Sequence, residues 1–298
     1  MPLAELLPVI DVTACCAPLT REAIDQRSAE DLARSLKALA DPARLRLISM
    51  VAAQLAFAVV PFGPTTSLFG RELPLSIAAD VPIGFLFLLA VTSLGIYGIV
   101  LGGWSSGSKY SLLGGMRSSA QMISYELAMG LSLVSVLLAS GSLIPAEIMQ
   151  RGIWIGPQFP AFVIFFICMI AETNRAPFDL VEAEQELVAG FHTEYSSFKF
   201  ALFYMGEYVS MIVFSALAVT LFLGGWRGPG AGGDSLLGVL LGLLYFVLKI
   251  GIFMFIYIWI RATLPRLRYD RLMALGWKVL LPASLIWVAI TAVWVVVR

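Results

Sequence analysis

The sequence predicts an all-α fold: a polytopic helical membrane protein of about seven transmembrane helices, preceded by a short helical soluble arm. Three observations lead there. The chain is 59% hydrophobic and 13% charged, with a mean hydropathy of +0.87, whereas soluble domains carry roughly a quarter charged residues. Apolar stretches near or above the roughly 18 residues that span a bilayer recur along it. Lysine and arginine also segregate between alternate connections, as they do in membrane proteins.

Residues 1–46 form the arm. They hold six Lys and Arg, with Leu32, Leu36 and Leu39 at helical spacing. Asp41 and Pro42 read as the N-cap and first position of a further helix beginning ARLRLI. The stretch ACCAPLTREAIDQRSAEDLARSLKALADPARLRLISMVAA resembles the opening of an ArsR-family metal-responsive repressor, over about residues 11–50. That family's recognition helix and β-wing have no counterpart in the apolar segments after residue 50, so an unrelated fused arm is expected. Thiolates at Cys15 and Cys16 are weak candidates for a soft metalloid, since two ligands make a poor site. Three cysteines give no disulfide framework, and no basic start followed by an apolar run marks a signal peptide.

Residues 47–298 read as one membrane domain. Its apolar stretches are about 47–62, 81–102, 119–140, 157–173, 199–223, 236–260 and 277–297. Lipid cannot satisfy backbone polar groups, so each is expected to be a helix. The first is short for about 30 Å of hydrocarbon. Between them, 63–80 is turn-rich, 102–115 (GGWSSGSKYSLLGG) reads as a Gly/Ser loop, and 224–235 as a Gly-rich turn. With the N-terminus cytoplasmic, cytoplasmic segments hold 15 Lys and Arg against four opposite, and Lys249 falls inside a span. A multi-pass protein of a bacterial inner membrane is expected. Zero net charge argues against nucleic acid as a partner.

The connection from Ala171 to Ser197, AETNRAPFDLVEAEQELVAGFHTEYSS, concentrates the chemistry. It packs Glu172, Asp179, Glu182, Glu184, Glu186 and Glu194 around Arg175 and the only histidine, His192. Pro177 sits where a helix can begin and Gly190 where it can end. Helical spacing then puts Glu182 and Glu186 on one face, where like charges raise each other's proton affinity. A solvated acidic loop is the bland alternative. The spans weigh against it: Glu126, Glu207 and Lys249 lie inside apolar stretches, where a charge costs at least ~2.5–3.5 kcal/mol and implies function. Together they read as a polar file for protons, in which Lys249 serves as a carrier or as a neutralising partner.

The segments GSKYSLLGGMRSSAQMISYELAMG, AETNRAPFDLVEAEQELVAGFHTEYSSFKFALFYMGEYV and IWIRATLPRLRYDRLMALGWK resemble the H-type membrane subunit of proton-pumping NADH-quinone oxidoreductase, respiratory complex I, called subunit 1 in mitochondria. The likeness runs from about residue 50 to the end. It implies a quinone-chamber and coupling loop at Glu172, Arg175, Asp179, Glu182, Glu184, Glu186, His192 and Glu194. An intramembrane path at Glu126 and Glu207, and a cytoplasmic junction at Arg261, Arg266 and Arg268, follow from it too. It further implies other complex I subunits as partners and quinone as substrate. This chain is expected to bind no cofactor, electrons arriving from a neighbour. The family's first transmembrane helix and basic AERKxLGRxQxRxGPNRxGP-type loop are expected to be missing. A hydrogenase anchor or a non-functional remnant stay open as alternatives; the intact EAEQELVAGFHTEYSS string favours the quinone enzyme.

Overall fold

A backbone in hydrocarbon must satisfy its own hydrogen bonds, and helices do this segment by segment. The computed structural model describes residues 51, 55–63, 66–68, 71–73, 81–105, 108–179, 198–231 and 236–297, nearly all of them helical outside short connections. They belong to one unit spanning 41–298. A small antiparallel hairpin comes first, β1 (Thr66–Leu68) and β2 (Arg71–Leu73), with Ser67 opposite Glu72. It occupies the turn-rich stretch between the first two expected spans and does not alter the helical class.

The helices follow in order: α1 (Gly84–Ser105), α2 (Lys109–Ser140), α3 (Pro145–Arg151), α4 (Phe159–Glu172), α5 (Phe198–Phe222), α6 (Leu236–Thr263) and α7 (Tyr269–Leu275). A π-helical turn, Gly276–Leu280, leads into α8 (Leu281–Val297). Among the described residues, five segments are long and apolar enough to cross a membrane: Gly84–Ser105, Lys109–Ser140, Tyr204–Phe222, Leu237–Thr263 and Tyr269–Val297. Of the expected span at 47–62, residues 51 and 55–62 are described, and 51 and 55–58 are helical.

Two expectations are corrected. The segment 102–115 is not a loop: α1 continues to Ser105 and α2 starts at Lys109. Glycine and serine signal turns in water, but in lipid they let helices approach closely. A Cβ on Gly103 would lie 2.8 Å from the Ser111 carbonyl oxygen and 3.3 Å from the Gly115 Cα. The second correction concerns α4, which has 14 residues and rises only about 21 Å, short of about 30 Å of hydrocarbon. Its last residue, Glu172, is 5% exposed.

Helix α2 is the hub, packing against α1, α4 and α8, while α5 packs on α6 and α4. Its contact faces are small and polar; Ser118, Ser132 and Ser135 are buried. Such serines bond back to their own helix: Ser132 Oγ donates to the Met129 carbonyl (2.7 Å) and Ser135 Oγ to the Ser132 carbonyl (2.6 Å). At the end of α2, Gly141 takes a left-handed φ of 65° and its N–H returns to the Leu137 carbonyl at 2.7 Å. Arg151 Nη1 donates to the Ser140 carbonyl there, a cation at the negative end of the helix. Aromatic rings lock α4 to α5, with Phe162 and Phe165 centroids 5.3 and 5.5 Å from Phe222.

Candidate functional site

The chain leaves α4 through a tight turn, and this turn builds the site. Thr173 Oγ1 lies 3.1 Å from both the Met169 and Ile170 carbonyls and donates its single proton there. Asn174 has φ 51°, in the left-handed region, one of few non-glycine types that tolerate it. Ala176–Pro177 is cis. Residues 176–178 are turn and bend rather than the expected start of a helix. The Pro177 carbonyl instead accepts the Leu267 N–H at 3.0 Å, tying this turn to the connection after α6.

From that turn Arg175, 6% exposed, reaches α5. Its Nε lies 2.7 Å from Glu207 Oε1, with both side chains largely buried. Its guanidinium carbon stands 4.8 Å over the Tyr208 ring. The Nε–H is not aligned for a hydrogen bond, and Nη2 has none; charge and the aromatic face hold the group. A buried pair of this kind contributes little net stability, but losing one partner strands the other.

Glu207 also lines a cavity of about 60 Å³, along with Glu172, Asn174, Met122, Thr92 and Ser210. That is room for a few waters, which need polar walls. The walls are mixed, with Val91, Ile99, Val213 and Phe214 beside the polar groups, and the polar groups are incompletely used: Glu172 Oε2 and Asn174 Oδ1 are buried without hydrogen-bond partners. Buried polar atoms left unpaired are uncommon in folded proteins and call for an explanation. On α2, Glu126 lies near enough for its charge to act on Glu172. It receives a hydrogen bond from Ser93 Oγ of α1, next to the cavity-lining Thr92. Three carboxylates and one guanidinium, from α2, the end of α4 with its turn, and α5, thus gather in and beside one small cavity. Such an array can hold, exchange and pass protons.

The expected residues sort into three groups. Glu126, Glu172, Arg175 and Glu207 come together. Lys249 does not join them: its Nζ donates to the carbonyls of Leu223 (2.9 Å), Gly225 (2.7 Å) and Arg227 (2.9 Å). Those carbonyls close the far end of α5, 16 residues beyond Glu207 and so about 24 Å along the helix. The lysine is a helix cap, favoured there by the carbonyl dipoles, and the polar-file reading is corrected for it. Arg261, Arg266 and Arg268 are exposed around the end of α6; Arg268 pairs with Asp270 at 3.3 Å across mostly exposed side chains, a contact of small worth. Asp179 is half-buried at the end of the turn. Glu182, Glu184, Glu186, His192 and Glu194, like Cys15 and Cys16, lie outside the described residues.

Sequence reasoning missed Ser93, Asn174, Tyr208 and Gln121. The last two carry a weak signal. Tyr208 adjoins Glu207, and Gln121 stands five residues before Glu126 in a helix that must bury its polar groups. Ser93 and Asn174 carry none that a single sequence reveals.

The family model described as NADH dehydrogenase matches residues 41–292. Two relatives bearing the name of the H subunit of NADH-quinone oxidoreductase, from Frankia alni and Frankia casuarinae, are each 55% identical over 251 residues, covering 83% of this chain. The chain spans 55% of the length of each of these relatives.

Proposed function

The chain belongs to the NADH dehydrogenase family, and from that premise we propose that it is a membrane subunit of a proton-translocating NADH-quinone oxidoreductase. In this reading it forms part of the quinone chamber and couples quinone reduction to proton transfer. The observation that carries it is the ion pair of Arg175 with Glu207, whose carboxylate lines a small cavity shared with Glu172. Intramembrane carboxylates that face one another and not lipid are the arrangement a proton path requires.

The chemistry follows from charge. Electrons reach the quinone from a neighbouring subunit, and each electron added puts negative charge beside the acidic connection. Nearby carboxylates respond by taking up protons, because like charge disfavours their ionised form. Glu207, paired with Arg175, is one buried carboxylate inward of that connection. Glu172 lines the same cavity, and Glu126, held by Ser93, is close enough to act on Glu172. The connection 180–197, which the resemblance puts beside the quinone, supplies the outer carboxylates.

Other complex I subunits are the proposed partners, with the 173–179 turn and the basic segment after α6 facing the peripheral arm. The proposed setting is a bacterial inner membrane with the N-terminus cytoplasmic. The test is co-purification: an affinity-tagged chain is expected to bring NADH-quinone reductase activity and peripheral-arm subunits out of solubilised membranes. Recovery of the chain alone, or with hydrogenase subunits, overturns the proposal.

A further inference from the structure

Gln121 lies on α2 and is fully buried. Its Nε2 donates to two backbone carbonyls at once, Ala171 (2.9 Å) and Phe178 (3.0 Å). With both neighbours acceptors, the amide nitrogen must face them. These two residues bracket the turn that carries Glu172, Thr173, Asn174 and Arg175. Within it the Ala171 carbonyl also receives the Asn174 N–H at 3.3 Å, and the Arg175 carbonyl receives the Phe178 N–H at 2.8 Å. One side chain therefore closes the turn from outside, with Arg175 between its two anchor points.

The amide's other atom, Oε1, is buried with no partner. A residue kept only to fill space at that position has apolar substitutes that leave nothing unpaired. A double donor is what the site uses, one amide nitrogen serving the Ala171 and Phe178 carbonyls together.

We infer that Gln121 is a positioning residue, stapling both ends of the 171–178 turn so that Arg175 is presented to Glu207; this rests on the proposed coupling role of that pair. The hydrogen bonds of Gln121 go to the backbone of the turn. It acts through the turn.

The test uses Gln121→Leu in the assembled complex, with two readouts. Deuterium uptake across 171–179 is expected to rise on the order of tenfold, as two hydrogen bonds holding the turn are lost. Protons moved per electron are expected to fall by roughly twofold or more, while quinone reduction per assembled complex is retained, since a misplaced group costs transfer more than binding. Unchanged uptake overturns the inference. So does faster uptake with an unchanged proton-to-electron ratio, or with both activities falling in step, which marks a packing residue. Glu207→Gln is measured alongside: if it alone leaves the ratio intact, the coupling reading fails, and the uptake arm still decides whether Gln121 staples the turn.

Discussion

Glu207→Gln is expected to stop quinone-coupled proton movement while the chain still assembles. Glutamine keeps the shape and one acceptor oxygen for Arg175, but it can neither carry a charge nor pass a proton. Removing a positioned proton carrier costs at least roughly a hundredfold in the step it serves. A stability loss accompanies it, because Arg175 is left as a buried cation with a neutral neighbour. Breaking a buried pair costs ~3–5 kcal/mol when nothing replaces the partner, and the retained acceptor puts this substitution toward the lower end. Complex content on native gels separates the two effects from pumping measured in proteoliposomes. Normal pumping at normal content removes Glu207 from the path.

Arg175→Met is expected to have the larger effect on assembly, and a second substitution to reverse it. The single change abandons the Glu207 carboxylate in a site where its side chain is only 15% exposed. A charge stranded there is expected to lower stability by ~3–5 kcal/mol. Arg175→Met combined with Glu207→Leu removes both charges and fills the space with apolar atoms, which is often neutral for stability. Assembly is therefore expected to return in the double variant and pumping to stay absent. That split distinguishes a pair kept for proton transfer from one kept for folding. If the double variant pumps, the pair serves packing and the path runs elsewhere.

The spans were readable because hydropathy alone marks them, and Glu126 and Glu207 stood out because charge in hydrocarbon is costly. The reading failed where lipid changes the meaning of a residue type. Gly103 and Gly115 look like loop residues in water; between α1 and α2 they are the surfaces on which two backbones meet. Lys249 looked like a member of the charged file because sequence gives depth in a span and not direction. It bonds the carbonyls after α5 instead. The pairing of Arg175 with Glu207, 32 positions apart, depends on how the turn after α4 docks on α5. Ser93 leaves no mark for the same reason, and Gln121 only a weak one, since a partner across a helix interface leaves no periodic trace.

The central claim is that the buried carboxylates change protonation when quinone is reduced. Infrared difference spectroscopy of the assembled complex, in the carboxyl carbonyl-stretch region, measures this directly. Reducing the quinone is expected to produce a carboxyl band that disappears in Glu172→Gln and shifts in Glu207→Gln. A difference spectrum without a carboxyl band, or with one that ignores substitution of Glu126, Glu172 and Glu207 alike, contradicts the account.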